Sequence, residues 1–588
     1  MACSDGPLVL NAKVLVKGAA EGQLLMSTTP LSFWGGVNPT TGEIIDRNHP
    51  LSGISITGKI LAIPSGRGSC TGSGIILQLI YNGVNPSALV FEHEEDILTL
   101  GVVIAQQFFG NSIPVLRLGS FDFKKLSTIP YARIMNDKLY SCMDVEENIP
   151  PVLCTMGAHE LEKEIQLPPN FKLSNYDHLV LTGSMGKAAQ TAMRVILRMA
   201  IVQGATSLID ITQVHIDGCI YTGEATLLVA KKLLNLGGKV CVPTTMNSIS
   251  IDRRQWRTQG VDPAIGDPSE ELAESYEGLG AQATYTCAPY LLDSAPKIGE
   301  QVGWAESNAV VYANSALGAR TMKYPDYLDI CIALTGRAPK AGCHVLENRR
   351  AQIKISVPAL PSFDDSLFPL LGYLVGDIAR SRIPIVTGLE ETTVTNADLK
   401  AFGAAFATTS SAPMFHIAGV TPEAKTADDQ ALHLSTNVAA AITPTTMAAA
   451  WRRLDKAPET AVDLVSLGNP HFSYEELRDT AALVRGRTKH SGTEIMITCG
   501  RDTYQKTLGT GVIDELRAFG VKIITDTCWC MIEEPVIPRH AQTIMTNSGK
   551  YAHYGEGLTG RKMRFGSLAA CVEAACTGVA DKGVPVWL

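Results

Sequence analysis

The sequence predicts an α/β protein, with a β-rich N-terminal domain followed by a larger body of parallel sheets covered by helices. Three observations carry that prediction. Short β-rich runs dominate the first 135 residues. Beyond residue 173 a phrase of helix, glycine and buried strand recurs. The composition is that of well-buried layers, 45% hydrophobic and 18% charged, against a usual charged share of about a quarter. At 588 residues the chain exceeds one typical core, so roughly two to four domains are expected.

Taken in order, "LVLNAKVLV", "GISITGKILAIP", "SALVFE" and "IPVLRLG" read as strands, and "GSGIILQLIYNG" and "LTLGVVIAQQFFG" as helices between them. The segment "IPSGRGSCTGSG", Ile63 to Gly74, joins a strand to a helix. Gly and Ser clusters mark turns, so it reads as a plain loop that contains a serine. The alternative is a tight strand-to-helix turn that sets Ser69 beside backbone N–H groups, an anion-binding nest. Residues 136–172 carry two double prolines, "ENIPPVLCTMG" and "IQLPPNF", which resist a helix or a central strand and suggest a linker or surface wrap.

From "KLSNYDHLVL" onward the pattern changes. "KAAQTAMRVILRMAIVQGA" has a helical period and precedes the strand-like "SLIDITQVHI"; "EATLLVAKKLLNLGG" precedes the strand "KVCVPTT"; "DELRAFGVKIITDTC" repeats the phrase. In parallel sheets, ligands gather beyond the carboxyl ends of strands. That rule selects "VHIDGCIY", "VPTTMNS" and "TDTCWC".

Charge and cysteine usage narrow the function. A net charge of −8 without a basic block argues against nucleic acid, although local arginines can still bind an anionic substrate. The start "MACSDGPLVLNAKVLVKG" lacks the basic-then-apolar pattern of a signal peptide. Runs such as "LVSLG" are far too short to span a membrane. The expectation is a cytoplasmic chain with no membrane partner, a monomer or small homo-oligomer acting on a small molecule. Fourteen scattered cysteines without CxxC ladders read mostly as buried thiols, a minority of them able to bind metal. "LTGSMGKAA" has only two residues between its glycines and is not a phosphate loop.

Polar residues cluster at the selected strand ends and in other loops. They are His215, Asp217 and Cys219; Thr244, Thr245 and Asn247; Cys287; Glu306, Ser307 and Asn308; Cys528 and Cys530; Asn547, Ser548 and Lys550. "HVLENRRA" supplies Glu347, Asn348, Arg349 and Arg350, either a carboxylate clamp or an ion-pair cluster. Each has a plain reading too. Cys528 and Cys530, two apart on a strand, would point the same way, so one could be core filler. Cys287 alone reads as a buried thiol, and Lys550 as a solvated charge.

In sequence order, "GRGSCTGSG", "VHIDGCIY", "VPTTMN", "YTCAPY", "WAESNA", "ENRRA", "TDTC" and "TNSGKYAHY…RFGSL" resemble the successive landmarks of the aconitase X family, over nearly the whole chain. The resemblance implies a small swivelling domain, residues 1–135, fused through a linker, 136–172, to a multi-lobed aconitase-like catalytic domain, 173–588. It further implies a dehydratase of the single-chain group, which acts on cis-3-hydroxy-L-proline.

By the same resemblance Ser69 is the base. It must be activated by cations and N–H donors, with Arg67 and the helix start after Gly72 as contributors, and Lys550 joins the catalytic set. Gly218, Cys219, Ile220, Asn247, Ser248, Glu306 and Ser307 carry over as substrate contacts. Cys287 and Cys528 carry over as ligands of an iron–sulfur cluster whose iron acts as a Lewis acid. One departure is Asn469 in "LGNPHFS", where two-chain relatives carry a third cluster cysteine. It favours a smaller 2Fe–2S centre or an altered third ligand, with Cys530, Cys331 and Cys343 as substitutes. Two alternatives remain: an aconitase X-type isomerase or dehydratase for another hydroxy acid, and a non-catalytic iron–sulfur binding protein. The presence of Ser69 argues against the latter, and the fused chain with Asn469 disfavours a phosphorylated mevalonate substrate.

Overall fold

A computed structural model describes residues 8–47, 49–142, 165–425 and 438–588, and the backbone of Cys154 and Thr155. The double proline at 150–151 lies outside the described residues. The chain divides into two compact units. The first comprises Met1–Asp210, Thr222–Cys241 and Tyr324–Ala341; the second comprises Ile211–Tyr221, Val242–Lys323 and Gly342–Leu588.

The first unit is built on an eight-stranded sheet. Its centre is parallel, with Ala19–Met26, Ile60–Ile63, Ala88–Phe91 and Val115–Arg117 side by side. Ile60–Ile63 and Ala88–Phe91 are buried along their whole length, as expected of apolar runs covered on both faces. Beyond Ala19–Met26 the antiparallel hairpin Tyr131–Met135 and Lys138–Cys142 is added, which carries the sheet past residue 135. The two edge strands are Val9–Asn11 and Lys13–Val16. Only Ala12 separates them, so one short stretch of chain supplies both edges of the sheet. The helices Gly72–Asn82 and Ile97–Phe109 fall where the apolar periodicity put them, each ended by a left-handed glycine, Gly83 or Gly110.

The second unit contains three parallel sheets. One has the order Thr244–Met246, Val214–Ile216, Gly303–Trp304. Another pairs His416–Ile417, Pro384–Thr387, Ile353–Ser356 and Ala439–Ala441. The largest runs Val521–Ile524, Glu494–Cys499, Leu464–Phe472, Thr543–Thr546, Lys562–Phe565. The helix–glycine–strand phrase appears as Val512–Phe519, Gly520 at φ 104° and Val521–Ile524.

Two of the strands expected beyond residue 173 differ from expectation. "KVCVPTT" forms a strand only from Thr244 onward, because Pro243 has no N–H for a ladder. "SLIDITQVHI" splits into Leu208–Asp210 and Val214–Ile216, which belong to different sheets and different units. Asp210, the last residue of the first strand, pairs across the ladder with Arg337 and binds its guanidinium. Among the described residues no helix is long and apolar enough to cross a membrane.

Candidate active site

In the first unit the segment between Ile60–Ile63 and Gly72–Asn82 is a strand-to-helix turn that contains Ser69. Its glycines are demanded by the backbone. Gly68 has φ 85°, which L side chains rarely adopt, and a Cβ on Gly66 would lie 2.7 Å from the Glu95 carboxylate. The Ser69 hydroxyl is half-buried, donates to Thr71 Oγ1 at 3.0 Å and accepts from Thr71 N–H at 3.2 Å. Arg67 turns its guanidinium to Asp46 at 2.9 Å. The amides of Gly72, Ser73 and Gly74 each donate to the carbonyl three residues back. The anion-binding nest is therefore not open in this conformation, although the strand-to-helix turn itself is present. Cys70, one residue on, is fully buried.

In the second unit the parallel-sheet rule places the other residues. Asp217–Ile220 follow Val214–Ile216, Asn247 and Ser248 follow Thr244–Met246, and Glu306 and Ser307 come just after Gly303–Trp304. Asn247 Nδ2 donates to both Asp217 Oδ1 and, at 3.3 Å, Glu306 Oε2. Lys550 reaches Glu306 Oε1 at 3.0 Å from the helix Gly549–Thr559, and Asn308 donates to the same oxygen at 2.7 Å. These residues except Lys550 are at most 5% exposed, and the expected solvated lysine is a largely buried counter-ion whose side chain is 13% exposed. Burial alone would raise the Glu306 carboxyl, but the Lys550 charge and the Asn308 amide outweigh it and hold it at about 2. Ser248 donates to Asn247 Oδ1 at 3.2 Å, Gly218 O accepts from Tyr276 at 3.0 Å, and Cys219 Sγ lies 3.4 Å from Asn247 O. These fix the loop backbones. Ile220 and Ser307 are buried beside them in sequence.

Three thiols of this unit, Cys287, Cys528 and Cys530, interact with Lys550. Cys528 and Cys530 sit on a turn after Val521–Ile524, not on a strand, so the core-filler argument from strand alternation does not hold. They hydrogen-bond to each other, which pushes Cys530 down and Cys528 up, so the pair gives up its first proton readily. Burial pushes Cys287 up to about 12, with Glu306 adding to the shift and Lys550 opposing it. The charge of Lys550 acts on all three sulfurs. The central strand Leu464–Phe472 delivers two more groups. At Gly468, φ 92°, a Cβ would meet Thr498 O at 2.1 Å, and the ladder breaks between Leu467 and Phe472. The released residues reach the thiols: Asn469 Nδ2 donates to Cys530 Sγ at 3.5 Å, and His471 N–H to Cys287 Sγ at 3.3 Å.

His471 is the residue that sequence reasoning missed. Its Nε2 faces Thr527 O at 2.8 Å and must be the protonated nitrogen, leaving Nδ1 to accept from Thr286 Oγ1 at 3.3 Å. Burial lowers its pKa to about 4, so the ring is neutral. The available signal was its place two residues after Asn469, at a strand's carboxyl end.

Of the three substitutes for the missing cysteine, Cys530 touches both Cys528 and Asn469. Cys331 lies in the helix Leu328–Thr335 of the first unit, and Cys343 packs with Ile383 and Met414. Arg349 is no carboxylate clamp. It is 1% exposed and bound to Glu423 at 2.7 Å and Asn314 O at 2.9 Å, a buried ion pair. Among the described residues no group of three or more His, Cys, Asp or Glu side chains is arranged to hold a metal ion.

Sequence models of the aconitase X swivel, first, second and third domains match residues 9–140, 170–347, 351–452 and 462–577. The chain is 54% identical to cis-3-hydroxy-L-proline dehydratase of Hypocrea jecorina, over 97% of this chain and 96% of that one. It is 48% identical to the enzyme of the same name from Pseudomonas aeruginosa, over 98% of each. Among solved structures it resembles the holo-form crystal structure of Thermococcus kodakaraensis aconitase X. The TM-score is 0.62 and the identity 28%, covering 69% of this chain and 100% of that one.

Proposed function

The chain belongs to the aconitase X family, and from that premise we propose that it is a hydro-lyase converting cis-3-hydroxy-L-proline to Δ1-pyrroline-2-carboxylate. Within the structure, the observation that carries this reading is the Lys550 ammonium, held by Glu306 at 3.0 Å and acting on three thiols. A buried cation of this kind suits a small carboxylate substrate.

Ser69 takes the C2 proton of the substrate. The C3–O bond breaks with its electron pair on oxygen, C2 and C3 become doubly bonded, and the departing hydroxide takes up one proton to become water, the proton removed from C2 in the net reaction. The enamine then moves a proton from nitrogen to C3 and becomes the cyclic imine. Serine is a weak base unless its alkoxide is favoured; Thr71 N–H supplies one donor, and Arg67, paired with Asp46 in this conformation, would supply the cation on leaving that partner. Lys550 and Asn247 bind the substrate carboxylate, with Ser248, Ser307 and the Gly218–Ile220 backbone shaping the loops around it. Glu306 keeps Lys550 charged and oriented.

Cys287, Cys528 and Cys530 fit an iron–sulfur cluster. Thiolates are its usual ligands, and a neighbouring ammonium favours the thiolate form. Tyr551 Oη is buried with no hydrogen-bond partner among the described residues, and Cys528 and Cys530 act on it electrostatically, so it would be a spare donor to a cluster held there. A cluster brings its own sulfides, so its ligands need not converge on one point as for a single ion. With Asn469 in place of a further cysteine, the 2Fe–2S type suits this donor set. Bound iron would supply Lewis acidity toward the departing hydroxyl. The free thiols of the described residues support a reducing compartment, the cytoplasm.

The test is a substrate panel with anaerobically purified protein. We expect cis-3-hydroxy-L-proline to yield Δ1-pyrroline-2-carboxylate, with trans-3-hydroxyproline and acyclic hydroxy acids far slower. Turnover of another hydroxy acid alone would replace the substrate assignment, and no turnover by iron-loaded protein would overturn the reading.

A further inference from the structure

The loops that carry Cys287 and Cys528 are built alike. Each reads strained residue, threonine, cysteine: Tyr285-Thr286-Cys287 and Asp526-Thr527-Cys528. Tyr285 has φ 42° and Asp526 has φ 68°, both in the left-handed region although neither is glycine. Such a conformation is an outlier for the bulky Tyr285 and uncommon for Asp526, and it persists where the surroundings over-determine it. Both residues are 0% exposed.

One side chain holds both. Arg501 follows Glu494–Cys499 and starts the helix Arg501–Thr507. Its Nε and Nη2 bind the two Asp526 oxygens at 2.9 and 2.7 Å, a bidentate fork. The same guanidinium lies 4.7 Å from the centroid of the Tyr285 ring, within cation–π range. On the other side Arg253 donates to the Tyr285 hydroxyl at 2.6 Å, which fixes the ring against rotation. From within, His471 bridges the same two loops through Thr286 and Thr527. A planar, always-charged fork can grip a carboxylate edge-on and a ring face-on at once; a lysine cannot.

We propose that Arg501 is a positioning residue for the thiol site, a clamp that joins the two strained loops and so sets Cys287 and Cys528 relative to each other. The inference rests on the assignment of these cysteines as cluster ligands. Arg501 acts through Asp526 and Tyr285. Groups of this kind behind metal ligands are worth about tenfold to a hundredfold in metal affinity.

The test uses the full chain with Arg501→Ala, the milder Arg501→Lys, and Asp526→Asn, which removes the carboxylate end of the clamp. Two readouts are taken: iron and sulfide per chain with the decay of the visible charge-transfer band in air, and the alkylation rate of Cys287 and Cys528 in metal-free protein, resolved by mass spectrometry. We expect cluster decay and alkylation of both cysteines to speed up about tenfold or more in Arg501→Ala and Asp526→Asn, with Arg501→Lys rescuing little. A general loss of folding would speed alkylation of every buried cysteine, so Cys571 serves as the reference and should not change. Wild-type decay and alkylation rates in Arg501→Ala would overturn the clamp. If the wild type binds no iron, the ligand assignment fails, while the alkylation arm still decides whether Arg501 orders the two loops.

Discussion

At the scale of single residues, Ser69 and the Glu306–Lys550 pair lead to distinct experiments. Ser69→Ala removes one oxygen and its two contacts with Thr71 from a turn whose shape is set by Gly66 and Gly68. Folding and metal content should persist, turnover should fall about a hundredfold or more, and exchange of the substrate C2 hydrogen with solvent deuterium should disappear. Cys70→Ala is the control with milder effect; near-normal turnover in Ser69→Ala would move the base elsewhere. Glu306 is held at about 2 against an ordinary 4.5. A carboxyl depressed on folding adds stability that is present above its ordinary pKa and is lost as pH falls through the folded value. Its contribution should therefore fade between about pH 4.5 and 2. In Lys550→Met the burial of Glu306 is no longer opposed by the ammonium, so its pKa should rise above 4.5. The acid-unfolding midpoint should then move to higher pH, with a loss of about 3–5 kcal/mol at neutrality. An unchanged midpoint would mean that the pair is not a structural unit. Replacing Cys287 or Cys528 by Ala should bleach the brown colour expected of anaerobic protein, and a colourless, fully active wild type would remove the cluster from the mechanism.

At the scale of elements, the helix Gly72–Asn82 continues directly from the Ser69 turn, so what seats it seats the serine. Its partner Ile97–Phe109 approaches closely at Gly101, where a Cβ would lie 2.4 Å from Ser73 O and 2.3 Å from Ile76 Cγ2. Backbone cannot yield as a flexible side chain can. Gly101→Ala should cost about 1–3 kcal/mol, as overpacking does, and should lower turnover by displacing the turn. Gly557→Ala, in a helix with nothing within 4 Å of the new methyl, should be neutral or slightly stabilising. Thermal melts and kcat of the two variants measure this. Equal melting temperatures would mean that the helices separate freely at Gly101.

At the scale of the whole molecule, contacts within the first unit join chain on both sides of residue 150. Gln203 donates to Asp96 at 2.8 Å, Arg198 to Gln106 at 3.0 Å, and the Ala225 N–H to Gln78 at 3.0 Å. Two separately expressed pieces, 1–150 and 151–588, should therefore copurify and recover activity together. Activity in 151–588 alone would exclude Ser69 from the reaction, since the smaller piece holds it.

Much of this was legible in the chain itself, because local patterns report local chemistry. The apolar period of "GSGIILQLIYNG", the glycine at the end of "DELRAFG" and the all-apolar "ALVF" specify helix, stop and buried strand through backbone and burial terms that act within a few residues. The rule for parallel sheets also located Asp217, Asn247 and Cys528 at strand ends. What sequence could not supply is which distant groups share one dielectric environment. Lys550 looks solvated until Glu306, 244 positions away, neutralises it in the interior. Cys530 could not be ranked above Cys331 or Cys343 until Asn469 and Cys528 lay against it. Arg501 carries no motif at all, and its role exists only because Asp526 and Tyr285 meet its two faces. Periodicity and turn chemistry are set by neighbours along the chain, whereas charge pairing and burial are set by neighbours in space, and only the tertiary fold brings those together.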